Sequence, residues 1–437
     1  MPLYNSILFN KLGQYFVLPS VLFTFGLGFS MHTVAATYGT FEPRALAMGG
    51  VGVAVGNAEQ AIYYNPALLS FSDGKEEDTR NGRFYFPSFL LQATRNIEDG
   101  IDVIEDDLDV QITNAVNTFN ADSSEANAIS LLAAARDIES AVSAIGNEEA
   151  NLEAVIGFNI SEPGDHEGGG FYFASRVLGF AQSNVPQEDN DLLTDYVDVL
   201  ELIADGDTVT AAATYPELFD GATLIDPSDS LTSSADVGSL IIAEWGVAAA
   251  KEFNIFNKDV SFGITPKVQH IQVFREQVFY NDTDIDYQED SRTFFSMNVD
   301  LGVATTLGDN FRIGLAVKDV LSQSFISDSG LAVEIKPKLR FGSAYFHKYV
   351  TVGFDIDVIA NPSVTSETPI QEASLGVEIT PWKGVNVRVG YQHEFTGVYG
   401  DVLTTGVAIQ WRRFMTDFSF ITGSEKLGVS FQMGYAF

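Results

Sequence analysis

The sequence predicts an all-β protein: a transmembrane antiparallel β-barrel of about 14 strands, with an N-terminal plug and an α-helical extracellular insert. Three observations carry this expectation. Apolar residues alternate with small or polar ones over segment after segment, most regularly in the C-terminal half. Beyond the N-terminus no run of about 18 consecutive apolar residues occurs, which excludes a helical multi-span protein. The connections between alternating segments run short and long in turn, as a closed barrel requires and a soluble sandwich does not.

Composition agrees. The 437 residues carry 24 Lys+Arg against 59 Asp+Glu, a net charge of −35, which argues against nucleic acid as a partner. There is no Cys, so disulfides, thiolate metal sites and thiol catalysis are excluded. With 46% hydrophobic and 19% charged residues, wholesale disorder is excluded too. The 38 Gly, 34 Phe and 16 Tyr suit strands and tight turns better than helix bundles.

Residues 1–36 read as a cleaved secretory signal. Phe16–Phe29 is an uncharged apolar run, too short to span a membrane as a helix and interrupted by Pro19. Val34-Ala35-Ala36 supplies the small residues that precede a cleavage site, placed after Ala36. An exported chain leaves three options: a secreted protein, a periplasmic one, or a barrel in the outer membrane of a Gram-negative bacterium.

The strands are expected near 82–95, 152–160, 170–182, 238–254, 260–277, 291–307, 310–322, 333–346, 349–360, 371–381, 384–396, 402–411, 414–422 and 426–437. In the last of these Leu427, Val429, Phe431, Met433, Tyr435 and Phe437 alternate with Gly428, Ser430, Gln432, Gly434 and Ala436. Val385, Val387, Val389 and Tyr391 alternate with Asn386, Arg388, Gly390 and Gln392 in the same way. The polar face is narrow, as a lumen wants, and aromatics such as Trp382, Trp411 and Tyr349 gather beside short turns like an interfacial girdle. The terminal strand ending at Phe437 resembles the signal read by the barrel-assembly machinery, so that machinery and outer-membrane lipid are the expected partners.

The acidity is local. Between Ile97 and Ala250 stand 31 acidic and 2 basic residues, which accounts for −29 of the −35. This stretch holds two long outer loops, 97–151 and 183–237. In the first, Ile97, Ile101, Ile104, Leu108, Ile112 and Val116 recur at helical spacing, as do Ala128, Leu131, Leu132, Ala135, Ile138, Val142 and Ile145. A helical hairpin capping the barrel mouth is expected, with a shorter helix at Asp191–Ile203 in the second loop. Such a cap is either a binding lid or a solvated acidic exterior.

Residues 37–81 precede the first strand. FEPRALAMGGVGVAVGNAEQAIYYNPALL (41–69) is rich in small residues, as a plug folded inside a lumen would be. A dinucleotide fingerprint fails because Val55 stands where the third Gly belongs. Ala45-Leu46-Ala47-Met48-Gly49-Gly50 and AIYYNPALL (61–69) resemble the N-terminal hatch of FadL-type outer-membrane proteins, and Ala373–Gln392 is similar to their late strands. The long acidic insert resembles more closely the relatives described as conjugal transfer protein TraF of the outer-membrane-like type. The chain departs from FadL in that insert and at Leu68, where Gly is common. The resemblance implies a 14-stranded barrel with a hatch containing Gly49, Gly50, Asn65 and Pro66. It further implies passive uptake of hydrophobic, fatty-acid-like small molecules, or alternatively a docking or structural role in conjugation without transport. The thioredoxin-like conjugation protein of the same name is not matched, since a chain without Cys carries no redox dithiol.

No enzyme, cofactor or metal is expected. His32, His166, His270, His347 and His393 show no metal-ligand spacing, and nothing marks a Ser-His-Asp set. Asp282, Asp284 and Asp286 imitate the start of a calcium loop, but Tyr287 and Thr293 replace the required Gly and Glu. Inward-facing Asp300, Arg312, Lys318, Arg340, Asp355, Asp357, Glu378, Arg388 and Glu394 are candidates for a polar path or for mutual salt bridges holding the lumen.

Overall fold

The computed structural model describes residues 33–34, 38–71, 82–94, 108–146, 149–279, 291–326, 332–363 and 368–437. The expected cleavage site after Ala36, the Asp282–Asp286 cluster and residues 97–107 of the expected first helix lie outside the described residues. Thr33–Val34, inside the expected signal, pair in parallel with Ala332–Val333.

Fourteen strands form one closed antiparallel barrel. They are β1 (Arg83–Thr94), β2 (Glu149–Glu162), β3 (Glu167–Asn184), β4 (Ser234–Ile255), β5 (Lys258–Phe279), β6 (Arg292–Leu307), β7 (Phe311–Lys318), β8 (Lys338–His347), β9 (Val350–Asp357), β10 (Glu372–Trp382), β11 (Val385–Glu394), β12 (Val402–Trp411), β13 (Phe414–Gly423) and β14 (Lys426–Ala436). The wall closes where β14 pairs with β1, from Lys426↔Thr94 to Ala436↔Arg83. Closure satisfies the backbone of both terminal strands and leaves no edge.

The register decides which face sees what. In β14 Leu427, Val429 and Met433 are exposed, while Gly428, Ser430, Gln432 and Gly434 are buried. Phe295 is 75% and Met297 72% exposed, as are Trp382 (70%) and Trp411 (66%) at the turns. The alternating apolar set is thus the outer surface, the reverse of a water-soluble sandwich. Such a surface belongs in hydrocarbon with an aromatic girdle at its margin.

One barrel end carries tight turns. Phe256 (φ 50°) and Asn257 (φ 58°) are both left-handed, the backbone of a two-residue type I′ hairpin turn. The other end carries the long loops. There α3 (Leu108–Ala121) and α4 (Glu125–Ile145) come from the first loop, and α5 (Gln187–Ala204) and α6 (Thr208–Thr214) from the second. The two loops share one apolar core in which Ile112, Val116, Leu131 and Ile138 meet Leu193, Tyr196, Leu200 and Ile203. Buried Asp189 staples the second loop shut, accepting from the Thr232 and Ser233 amides (2.8 and 2.6 Å) and from both hydroxyls.

One stretch of wall differs from expectation. β7 stops at Lys318 and β8 begins at Lys338, rather than running to 322 and from 333. Between them Gln323–Ile326 and Ala332–Ile335 pair as a separate antiparallel hairpin. The chain leaves the wall at Asp319, whose φ of 56° breaks the strand. Residues 332–335 alternate as a wall strand would, so period alone does not separate the two.

Candidate functional site

Residues 38–71 lie inside the wall, packed against its inward face, and form the site. Helix α1 (Pro43–Ala47) is started by Pro43, whose missing N–H is not needed at that position. Glu42 caps it, accepting from the Arg44 and Ala45 amides (both 2.8 Å). The left-handed Gly49 (φ 73°) and Gly50 (φ 93°) then turn the chain back toward α2 (Ala58–Tyr64). Asn65 caps the 3₁₀ turn Pro66–Ser70, accepting from the Ala67 amide at 3.1 Å. Its amide nitrogen donates to the Val53 carbonyl (2.8 Å) and to the Val303 carbonyl of β6 (3.3 Å). Asn65 is wholly buried, so replacing it with an apolar residue would leave those groups unsatisfied.

The plug seats on a belt of wall glycines. Gly263, Gly302, Gly314, Gly342, Gly353, Gly376, Gly390 and Gly406 stand one on each of the eight successive strands β5–β12. A Cβ on Gly263 would lie 2.2 Å from the Ala67 nitrogen, and one on Gly390 2.2 Å from the Gly49 nitrogen. Plug backbone therefore lies directly on wall backbone, a contact no larger residue permits. The mid-strand glycines are visible in the sequence as part of the narrow inner face. That they align as a seat depends on register across eight strands.

Charge ties plug to wall. Asp355, 1% exposed, accepts from the Gly52 and Val53 amides at 2.8 and 2.9 Å. Thr404 accepts from the Gly49 amide (2.9 Å). Arg44 bonds Glu378 at 2.9 Å and Gln60 at 2.6 Å; Gln60 in turn donates to Glu42 (2.7 Å). Glu378 also accepts from Arg388 (2.6 Å), which reaches on to Asp417. Arg312 lies over the Phe71 ring (4.3 Å) and donates to the Ala54 and Gly56 carbonyls. Lys318 sits over Phe41 (4.2 Å), and Arg340 over Tyr38 (4.2 Å).

The remaining candidates pair within the wall. Arg340 bonds Asp357 (2.6 Å) and Glu372 (3.2 Å). Asp300 meets Lys267 at 2.9 Å, and Lys267 also holds Asp319 (2.8 Å) and Glu244 (3.4 Å). Glu394 closes its own outer loop, accepting from Thr396 and Val398 (both 2.7 Å). Sequence reasoning missed Glu244 and Lys267 because both faces of β4 and β5 carry apolar residues, which blurs their alternation, and Asp319 and Lys338 because they flank the point where the chain leaves the wall between β7 and β8. Above the plug a cavity of about 90 Å³ remains, edged by Arg176, Arg340 and Lys426 opposite Glu153 and Glu372. Among the described residues no group of three or more His, Asp or Glu side chains is arranged to hold a metal ion. Outside the spanning strands, His166 in a tight turn is raised above the usual histidine value by its bond to Glu252 (2.8 Å).

Comparison with known families matches residues 62–357 to the family described as F plasmid transfer operon, TraF, protein. No curated protein matches. Similar solved structures include the P. putida toluene transporter TodX, 10% identical, with 92% of this chain and 99% of that chain covered and a TM-score of 0.47. They also include the TodX monoaromatic hydrocarbon channel deltaS2 mutant, at 12% identity, 91% and 97% coverage and a TM-score of 0.48. A mutant Rh. blastica porin aligns at 9% identity, 82% and 99% coverage and a TM-score of 0.29.

Proposed function

This chain belongs to the family of F plasmid transfer operon TraF proteins, and from that premise we propose that it is a hatch-gated outer-membrane channel for passive uptake of hydrophobic small molecules. The observation that carries the proposal is the plug seated on the glycine belt and pinned by Asp355, Glu378 and Thr404. In this reading residues 38–71, packed against the inward face of the wall, gate the lumen, and a solute passes when part of them moves. An outward apolar band and an inward polar wall support placement in a bilayer. Fatty-acid-like compounds are the proposed substrate class, on the resemblance of residues 45–50 and 61–69 to the hatch of FadL-type proteins. The test is uptake of radiolabelled oleate and of a hydrocarbon by cells with and without the gene. A rate difference supports the proposal; equal rates for every apolar compound tried overturn it.

A second reading is favoured by the family's description as an F plasmid transfer operon protein and by the separately cored acidic cap. In that reading the cap is a docking surface in conjugation. Removing residues 97–151 then abolishes mating while leaving the barrel folded; unchanged mating refutes it.

A further inference from the structure

The turn end of the barrel is divided by charge. Among the described residues, the charged side chains at the turns of β8–β14 and at the start of β1 are all basic. Lys348 lies between β8 and β9, Lys383 between β10 and β11, Arg412 and Arg413 between β12 and β13, and Arg83 opens β1. The acidic residues of these strands nearest the turns, Asp355, Glu378 and Asp417, face inward and are already bonded. On β2–β7 the sign reverses. Glu162, Asp165, Glu167, Asp259 and Asp309 are exposed there and Glu252 is half-buried, against Lys251, Lys258 and His166. Two of those bases are taken, Lys251 by Glu167 (3.4 Å) and His166 by Glu252 (2.8 Å).

The basic arc is also an aromatic one. Tyr345, Tyr349, Trp382, Trp411 and Phe414 are exposed along it. Lys348 Nζ lies 5.1 Å from the centre of the Tyr349 ring, and Arg412 Cζ 5.2 Å from that of Trp411. Arg413 donates to the Tyr435 hydroxyl at 3.0 Å. Among the described residues Lys348, Arg412 and Arg413 pair with no carboxylate. Aromatic side chains at the margin of a barrel settle at the depth of the lipid headgroups, so cations carried on those rings lie at that depth too. The cations stand on separate turns around the rim. They suit a row of headgroups better than one small ion.

We propose that this arc, from β8 through β14 to β1, binds the headgroups of anionic phospholipids, of the phosphatidylglycerol class, in the periplasmic leaflet that the short turns face. Arg412 and Arg413 offer forked donors to a phosphodiester, and Lys348 and Lys383 act as point charges beside them. The acidic arc on β2–β7 repels the same lipids, so the lipid annulus is sorted around the barrel. Charge complementarity and the shared depth of rings and cations both select a lipid as the occupant. The inference goes beyond the uptake and docking readings and holds under either.

Two of the three Trp residues, Trp382 and Trp411, stand on the arc, and Trp245 stands within β4. The full chain carrying Trp245→Phe is reconstituted at low salt in phosphatidylcholine vesicles. A fixed fraction of the lipid is brominated phosphatidylglycerol in one sample and brominated phosphatidylcholine in the other. Bromine quenches a neighbouring Trp, so the quenching reads which lipid lies against the arc. Phosphatidylglycerol is expected to be enriched there at least about fivefold, and about 0.5 M salt to remove most of the enrichment. Lys383→Glu with Arg412→Glu and Arg413→Glu should abolish it in a barrel whose gel migration is still heat-modifiable. Lys348→Gln with Lys383→Gln gives a partial loss should the triple variant fail to fold. As a control, Phe256→Trp in a chain whose own Trp residues are all Phe reports from the acidic arc and should show no enrichment. Equal quenching by the two brominated lipids in the Trp245→Phe chain overturns the inference. So does enrichment that salt leaves unchanged, or the same enrichment at Phe256→Trp. Loss of the enrichment on adding soluble glycerol phosphate assigns the arc to a free phosphate and overturns it as well. A dimer in native mass spectrometry that excludes the lipid assigns the arc to the acidic arc of a second copy, with the same consequence.

Discussion

At the scale of single residues, the plug is the most exposed to test. Gly390→Ala places a methyl within van der Waals overlap of Gly49 and should cost about 1–3 kcal/mol by overpacking. Because the overlap lies between plug and wall, the expected outcome is a loosened plug in an intact barrel. Single-channel conductance that rises above wild type, with unchanged barrel migration on gels, is the check. Glu378→Gln removes the shared carboxylate of Arg44 and Arg388 and leaves two buried guanidinium groups under-compensated, a loss on the order of 3–5 kcal/mol. It too should open the lumen, and protease cleavage within residues 38–71 should appear. At the tight turn, the raised His166 value gives a pH signature. A histidine raised in the fold binds its proton more tightly there, so its favourable pairing is present at acid pH and is lost as pH rises through the shifted value. In Glu252→Gln the His166 titration followed by NMR should fall back toward the ordinary value. The cation–π contacts of Lys318 and Arg340 with residues 38 and 41 were not legible in sequence, since each joins positions roughly 300 residues apart.

At the scale of elements, strand and helix periods were readable where one face differs from the other. Each expected strand has a counterpart in the wall, and α4 and α5 lie where apolar residues recur at helical spacing. The hairpin at 323–335 was not separable from the wall because its strands alternate too. The union of the two loops into one cap was also hidden, since Leu131 and Leu200 are apolar in either a shared or a separate core. That union predicts behaviour. Leu131→Ala, at a fully buried position, should cost about 2–5 kcal/mol, borne by the cap alone. Limited proteolysis should then cut both 97–151 and 183–237, because neither loop keeps its core without the other; cleavage confined to the first loop would refute a shared core.

At the scale of the whole molecule, the long-range pairing β14–β1 closes a sheet whose outer face is apolar. A closed barrel should migrate faster on gels before boiling than after, and should fractionate with membranes; recovery in the soluble fraction would contradict it. The sequence by itself determined the strand set, the alternation of faces and the confinement of −29 charges to the region of the outer loops, because each is a local or compositional property. Only the tertiary structure decided that eight glycines form a seat, that Asp355 and Glu378 hold the plug, and that an apolar hairpin folds over β3–β6. The physical reason is register: period 2 says which face a residue takes, but which residues on that face meet across a lumen depends on the stagger of every strand between them.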